Sequence, residues 1–200
     1  MDSLTHIVLG AAVGTAVLGR KVGPKAALWG AVCGTLPDLD VLLPYGDPVR
    51  DFTFHRAHSH ALFWLSIASP FIAWIIFRLQ RNAGATFRDW WLLAWLALVT
   101  HPLLDAFTVY GTQLLLPFSD YPVGVGSVFI IDPLFLLAWL SAFAVAMWVP
   151  AHRAADRALL AGLVLGFGYL GWSLVAKSMG EREAMRTLTA MGLQDAPRFS

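Results

Sequence analysis

The chain alternates between six apolar runs and short polar or basic segments. The runs cover residues 4–19, 26–43, 57–77, 90–107, 128–149 and 158–176. None of them shows strong alternation of apolar and polar positions, which a half-buried strand would require, so each run is predicted to be helical. The segment 177–200 is polar, and its part from 181 to 191 is expected to be helical as well.

The lengths of the runs indicate a membrane protein. A helix that crosses about 30 Å of hydrocarbon needs about 20 residues. The third, fifth and sixth runs meet this length, whereas the others are shorter or carry ionisable groups and span only if their polar ends are buried against protein or water. We therefore predict an all-α integral membrane bundle of five to six helices in residues 1–176, followed by a polar, partly helical tail in 177–200.

The composition agrees with this class. Apolar residues make up 58% of the chain and charged residues only 14%, against about 25% in soluble domains. The nine Trp and thirteen Phe residues fit aromatic belts at a membrane surface. A net charge of +1 gives no basis for binding nucleic acid. The first charge, Asp2, is acidic, whereas a signal peptide begins with basic residues, so we expect the first run to be a retained helix.

Basic residues predict the orientation. The turns after the first, third and fifth runs hold Arg20, Lys21, Lys25, Arg78, Arg81, Arg88, Arg153 and Arg157, and the other two loops hold Arg50 and Arg56. The positive-inside rule then places those turns in the cytoplasm. The N-terminus, the loops 44–56 and 110–127 and the tail would lie outside, although the tail adds four basic residues to that side. The expected location is a bacterial or archaeal cytoplasmic membrane.

Histidine and aspartate side chains collect at the ends of runs that this orientation places outside. They are His6, Asp38, Asp40, His55, His58, His60, His101, Asp105 and Asp132. His101 and Asp105 are four residues apart and share one face of a helix. Asp38 and Asp40 would diverge on a regular helix, but Pro37 favours a broken segment in which both point into one cavity. The sequence therefore predicts a metal site near the outer membrane face.

The kinds of ligand indicate the metal and its chemistry. Imidazole and carboxylate together suit zinc, with manganese or iron as the other candidates, better than calcium or magnesium. The candidate ligands exceed one tetrahedral site, which predicts two metal ions. Two ions about 4 Å apart activate water and stabilise the leaving oxygen in phosphoester hydrolysis. Arg56 would hold a phosphate through paired hydrogen bonds.

Five short motifs give the chain a family resemblance. They are Asp2-x-x-Thr5-His6, Pro37-Asp38-x-Asp40, His55-Arg56-x-x-Ser59-His60, His101-x-x-x-Asp105 followed by Thr108-x-Tyr110-Gly111, and Ile131-Asp132-Pro133. In combination they resemble the YdjM-type, LexA-regulated, membrane-bound metal-dependent hydrolases. The His-x-x-x-Asp unit is also similar to that of zinc-dependent phospholipases C. The resemblance implies hydrolysis of a phosphodiester or phosphomonoester in a lipid or lipid-like substrate.

The resemblance, together with the shared face, assigns roles to individual residues. The expected metal ligands are His6, Asp38, His55, His60, His101 and Asp105. The expected catalytic residues are Asp40 as general base, Arg56 as phosphate ligand and Asp132 as a residue that orients a histidine. Two positions depart from the family pattern, since Ala57 and Ala61 stand where Gly and Ser are common. His58 falls on a variable position of the motif and is left out of the ligand set.

Other interpretations of the same residues stay open. A metal transporter would hold its ligands near the membrane midplane, a haem protein would use two axial histidines, and a non-catalytic protein would close the site around a structural metal. Asp132 precedes Pro133 and would also serve as a helix N-cap. Gly10 and Gly14 have the small-xxx-small spacing of close helix packing, which explains them better than a ligand does.

Overall fold

The computed structural model describes residues 3–42, 46, 57–129, 132–137, 140 and 152–192. Within these residues the complete α-helices are α1 (Ser3–Val22), α2 (Pro24–Thr35), α3 (Leu62–Leu79), α4 (Phe87–Asp105) and α5 (His152–Ala190), and residues 133–137 are helical as well. Two 3₁₀-helices, Pro37–Leu42 and His58–His60, stand between α2 and α3. The described part of the chain contains no strand, so the all-α prediction is confirmed.

Helices α1 and α2 form a tight antiparallel hairpin. Gly23 makes the turn with φ 63°, and Pro24 begins α2, where a missing amide hydrogen costs nothing. The helices touch along a stripe of glycines. They are so close there that a Cβ at Gly30 would collide with the Gly10 carbonyl oxygen and lie 2.9 Å from the Cα of Gly14. The predicted role of the small residues in close helix packing is confirmed.

Helices α3 and α4 form a second hairpin, whose turn lies at the same end of the bundle as the end of α1. Thr86 and Asp89 cap the start of α4 in a reciprocal capping box. The Lys21 ammonium donates to Asp89 Oδ1 at 2.7 Å and joins the end of α1 to the start of α4. Along the α3–α4 interface, Trp91 Nε1 donates to Ser69 Oγ at 3.0 Å. These contacts fix the basic end of the bundle.

In the part of the chain that the structure describes, three helical stretches are long and apolar enough to cross a membrane: Ser3–Val22, Leu62–Leu79 and Leu160–Ala190. Helix α2 has 12 residues and at 1.5 Å per residue reaches only about 18 Å, so it does not cross by itself. Large apolar side chains point away from the bundle, for example Phe71 and Leu79, which are 68% and 65% exposed. This exposed apolar surface is what contact with lipid requires.

The helix boundaries differ from the apolar runs at places where local geometry decides. Helix α2 ends at Thr35 because Pro37 cannot donate an amide hydrogen to an α-helix, and a 3₁₀-helix follows. Helix α3 begins at Leu62, five residues after the start of the third run, because His58–His60 forms its own 3₁₀ turn. Helix α5 continues through residue 176 to Ala190 without a break, which confirms the helix expected in the tail. Most of the fifth run lies outside the described residues.

The loop between α4 and residue 129 folds back onto the helix ends. Thr112 and Val123 exchange two backbone hydrogen bonds of 2.9 Å, and the Leu62 amide donates to the Leu114 carbonyl at 3.0 Å. Deeper in the loop, the Val125 amide donates to the Ala106 carbonyl at 2.7 Å. The loop therefore lies at the end of the bundle where α3 begins and α4 ends.

Candidate metal centre

The predicted ligands lie at one end of the bundle because the two hairpins are antiparallel. The start of α1, the segment after α2, the segment before α3 and the last turn of α4 meet there. They carry, in chain order, His6, Asp38, His60, His101 and Asp105. The structure thus brings together five of the six predicted metal ligands. The sixth, His55, and the predicted phosphate ligand Arg56 lie outside the described residues.

Four of these side chains form a group that could hold a metal ion. One ligand atom from each of His6, Asp38, His101 and Asp105 lies within 4.8 Å of all the others. His6 Nε2 is 3.2 Å from Asp105 Oδ1, and His101 Nε2 is 3.3 Å from Asp38 Oδ1. The rings of His6 and His101 stack with their centroids 3.6 Å apart. Two imidazoles and two carboxylates form a donor set that zinc accepts.

His60 joins this group from the α3 side. Its Nε2 atom lies 3.0 Å from His101 Nε2, 3.5 Å from Asp105 Oδ2 and 3.6 Å from Asp38 Oδ1. Burial lowers the pKa of His60 to about 4, against the opposing effect of Asp38. The imidazole is therefore neutral near pH 7, and the neutral ring is the form that binds metal.

A backbone carbonyl orients His101. Its Nδ1 atom lies 2.6 Å from the carbonyl oxygen of Gly34. A carbonyl only accepts, so Nδ1 carries the hydrogen and Nε2 presents its lone pair to Asp38. Gly34 comes this close because it belongs to the glycine stripe, where an added Cβ would lie 2.7 Å from the His6 carbonyl oxygen. The helix packing and the ligand orientation therefore depend on the same residue.

The atoms that face each other in this group fit a divalent cation. The carboxylates of Asp38 and Asp105 and the Nε2 atom of His101 all present lone pairs, and such groups repel each other when buried together. His6 Nδ1 is buried and has no hydrogen-bond partner among the described residues. A cation bound by these lone pairs would offset their repulsion, as in known imidazole and carboxylate metal sites.

Asp40 lies behind His60, on the side of the ring away from the ligand group. Its Oδ2 atom is 3.7 Å from His60 Nδ1 and accepts a hydrogen bond of 2.5 Å from Ser59 Oγ. Asp38 and Asp40 therefore flank the same imidazole from its two sides, as the broken segment after Pro37 allows. The role of Asp40 as general base stays a prediction.

Asp132 has structural contacts. Its Oδ1 atom accepts from the amides of Leu134 and Phe135 at 3.1 and 3.0 Å, which is an N-cap, and its Oδ2 atom accepts from Tyr169 Oη at 2.8 Å. The N-cap alternative is confirmed, and the catalytic role of Asp132 stays a prediction. His58 is exposed, which agrees with its exclusion from the ligand set.

Sequence reasoning assigned no contact with the ligands to three groups that support the site. They are the hydroxyl of Ser59, the carbonyl of Gly34 and the hydroxyl of Thr108, which donates to the Asp105 carbonyl at 2.7 Å. Gly30 and Gly34 have the same spacing as Gly10 and Gly14, so the sequence carried a signal that the two helices touch. It carried no signal that a carbonyl on that stripe would accept from His101.

Comparison with known proteins places the chain among membrane proteins. The protein YfhP of Bacillus subtilis (strain 168), described as uncharacterized, is 35% identical over 156 residues, which cover 72% of this chain and 46% of YfhP. The inner membrane protein YbcI of Escherichia coli (strain K12) is 28% identical over 120 residues, which cover 58% of this chain and 68% of YbcI. The chain thus spans about half the length of the Bacillus relative. No solved structure matches it.

A family profile covers nearly the whole chain. The profile described as YdjM inner membrane protein matches residues 1–180. This match includes every predicted ligand and the helices α1 to α4. The chain therefore belongs to the YdjM inner membrane protein family.

Proposed function

We propose that this protein is a membrane-bound, metal-dependent hydrolase that cleaves a phosphoester of a lipid-like substrate. The observation that carries the proposal is the largely buried group of His6, Asp38, His101 and Asp105, which three elements bring to one end of the bundle. A bound divalent ion would supply an activated water and stabilise the oxygen that leaves. The four side chains would hold the ion, orient one another and limit the access of water.

The partial exposure of Asp38 supports catalysis, because it leaves one side of an otherwise buried ligand group open. The side chains of His6 and Asp105 are 0% exposed, whereas that of Asp38 is 17% exposed. Structural zinc sites are closed by protein ligands, while catalytic sites keep an open position. Asp38 therefore marks the side from which a substrate would approach the ligand group.

An apolar cavity lined by residues of α1, α4 and α5 supports a lipid-like substrate. It has a volume of about 180 Å³. Its lining includes Leu9, Leu103, Leu104, Phe107, Phe135 and Leu170. Leu104 is next to Asp105 in the chain, and Leu9 lies one helical turn from His6. A cavity lined in this way accepts an alkyl chain and offers few partners to a polar group.

The number of ions is part of the proposal. The described ligand atoms account for one centre, with His60 at its edge. A second ion would need further ligands such as His55. The proposed metal is zinc, with manganese or iron as alternatives, and Arg56 keeps its proposed role at phosphate.

Two other functions would use the same ligand group. A metal-binding protein without catalytic activity is favoured by the near-complete burial of His6, His101 and Asp105. A metal transporter would place its ligands near the membrane midplane, whereas these ligands lie at helix ends. The proposed outer position of the site further separates it from a midplane pathway.

Metal content and phosphoester hydrolysis test the proposal together. Protein purified in detergent should carry zinc, manganese or iron by mass spectrometry, and the double variant His101→Ala, Asp105→Ala should lose it. The variant His58→Ala, which changes an exposed histidine next to the site, should keep it. The wild type should then release product from phospholipid or lipid phosphate only when metal is present. A folded wild type without metal would overturn the metal centre, and metal without hydrolysis of either substrate would favour the non-catalytic alternative.

A further inference from the structure

We propose that Ser59 and Asp40 are positioning residues that hold His60 in one tautomer, with its Nε2 lone pair directed at the ligand group. This inference rests on the proposed metal centre and assigns the two residues to it. It gives Asp40 a task that does not require contact with substrate. The contacts among these three side chains carry the inference.

The single hydrogen of the serine hydroxyl sets the direction of both hydrogen bonds. Ser59 Oγ lies 2.5 Å from Asp40 Oδ2 and 2.8 Å from His60 Nδ1. An ionised carboxylate only accepts, so the hydroxyl gives its hydrogen to Asp40. The hydroxyl oxygen must then accept from His60, which requires a hydrogen on Nδ1. Asp40 acts through the hydroxyl, because its own distance to Nδ1 is 3.7 Å.

The hydrogen on Nδ1 leaves the Nε2 atom of His60 as a lone-pair donor. That atom lies 3.0 Å from the Nε2 atom of His101, which the Gly34 carbonyl holds in the same tautomer. Two imidazole lone pairs at this distance repel each other, and a bound cation would offset that repulsion. Each histidine thus has an acceptor behind it that fixes the ring, the arrangement that metal-ligating histidines commonly show.

The 3₁₀-helix Pro37–Leu42 places one carboxylate on each side of the His60 ring. Asp38 Oδ1 lies 3.6 Å from Nε2, and Asp40 Oδ2 lies 3.7 Å from Nδ1. Asp40 is 6% exposed and His60 is 0% exposed, so water does not compete freely for these bonds. One short helix therefore provides a proposed ligand and, two residues later, the carboxylate that orients another ligand.

Zinc titration of full-length protein in detergent tests the inference, with a chromophoric chelator as competitor. Ser59→Ala and Asp40→Ala should weaken zinc binding about 10–100-fold, the usual cost of removing the partner of a ligating histidine. Ser59→Thr keeps the hydroxyl and should restore binding. Asp40→Asn keeps an acceptor without the charge and should fall between Asp40→Ala and the wild type. His58→Ala serves as the matched control.

A spectroscopic readout separates orientation from simple loss of structure. With ¹⁵N-labelled histidine and metal-free protein, His60 should show the Nδ1–H pattern of shifts in the wild type and in Ser59→Thr. In Asp40→Ala the serine hydrogen turns to Nδ1, so the pattern should change to Nε2–H. His60→Gln identifies the signal.

The outcomes distinguish this inference from the proposed function. If Ser59→Ala and Asp40→Ala bind zinc like the wild type while His101→Ala with Asp105→Ala does not, the positioning role is overturned and the metal centre stands. An unchanged His60 tautomer in Asp40→Ala overturns the positioning role even if affinity falls. Zinc binding that depends on Ser59 and Asp40 without any hydrolysis supports the positioning role and removes only the proposed reaction.

Discussion

At the scale of single residues, two histidines of the same 3₁₀ turn have opposite surroundings. His58 is exposed, while His60 is fully buried against the ligand group. Their chemistry is identical, and only the turn of the backbone separates them. This pair therefore provides a test in which the local sequence stays nearly constant.

We expect His60→Gln to weaken zinc binding and His58→Gln to leave it unchanged. Removing the hydrogen-bond partner of a ligating histidine weakens metal affinity about 10–100-fold. Removing the His60 Nε2 atom, which faces the ligand group, should weaken zinc affinity at least as much. Competition with a chelator of known affinity measures both variants. Equal affinities for the two variants would place His60 outside the centre.

The opposite end of the bundle contains an exposed ion pair with a defined pH dependence. The hydrogen bond from Lys21 and then that from the Thr86 amide lower the pKa of Asp89 from 3.8 to about 2. Because the folded pKa is lowered, the charged form stabilises the fold above pH 3.8, and this contribution disappears as the pH falls through about 2.

Asp89→Asn should therefore lower the melting temperature in detergent near neutral pH, by a small amount because the pair is exposed. The difference from the wild type should shrink between pH 4 and pH 2, where the wild type loses the same charge. Thermal unfolding followed by circular dichroism across this range measures it. A difference that stays constant down to pH 2 would show that the charge is not the cause.

The sequence predicts the residue types at the site better than their mutual contacts. The spacing of His101 and Asp105 places both on one helical face, and the structure brings both into the ligand group. The Ser59 hydroxyl and the Gly34 carbonyl were not predictable, because their partners are assigned only when separate elements pack. Spacing along the chain contains no information on which acceptor lies behind a given ring.

At the scale of elements, the glycine stripe between α1 and α2 sets the distance between the two helices. Gly30→Ala should destabilise the protein by about 1–3 kcal/mol, the usual cost of overpacking a tight interface. Its Cβ would collide with the Gly10 carbonyl oxygen, which belongs to a helix backbone and cannot move alone. The same shift would move Gly34 away from His101, so zinc binding should weaken as well.

Gly168→Ala is the matched control for this prediction. Gly168 also lies inside a helix, but a Cβ there would have no neighbour within 4 Å among the described residues. The change should be neutral or slightly stabilising, since Ala has the higher helix propensity. Unfolding by denaturant in detergent compares the two variants, and equal stabilities would contradict close packing at Gly30.

Helix α5 is joined to the rest of the described chain partly by polar contacts. Tyr169 Oη donates to Asp132, and Ser173 Oγ donates to Ser127 Oγ at 3.0 Å. Lys177 Nζ also donates to the Val125 carbonyl. These bonds connect α5 to Asp132 and to the loop that follows α4.

Tyr169→Phe should lower stability by about 1 kcal/mol, the net value of a typical hydrogen bond, and should leave zinc binding unchanged. The same readouts on Asp132→Ala, which removes both carboxylate oxygens, decide between the two roles of Asp132. Lost stability with normal zinc binding and activity fits the N-cap and the bond to Tyr169. Normal stability with lost activity would instead support the catalytic role.

Apolar runs located the helices well and their ends less well. The long runs became α1, α3, α4 and α5, since length and hydropathy suffice to identify a buried or lipid-facing helix. The start of α3 and the end of α2 were displaced by 3₁₀ turns. The contacts of His60 and Asp40 accompany those turns. The apolar runs continue across the turns without interruption, so the pattern of apolar residues does not reveal them.

At the scale of the whole molecule, the orientation in the membrane remains a prediction that labelling can test. Tyr121 is 70% exposed in the loop after α4, and Asn82 is exposed in the turn between α3 and α4, at the opposite end. Tyr121→Cys should react with an impermeant maleimide in intact cells, and Asn82→Cys only after the cells are opened. The native Cys33 is buried and should stay unlabelled. The reverse pattern would place the ligand group on the cytoplasmic side.

The span of chain that the ligand group closes has a consequence for assembly. His6 and Asp105 are 99 residues apart, and the group also includes residues of the segments before α3 and after α2. An ion that binds only the assembled bundle adds its binding free energy to the folded state. If the proposed ion binds, its supply would become a step in the maturation of the protein. A chain inserted without metal would keep its glycine-packed hairpin but lack a bond across the ends of its helices.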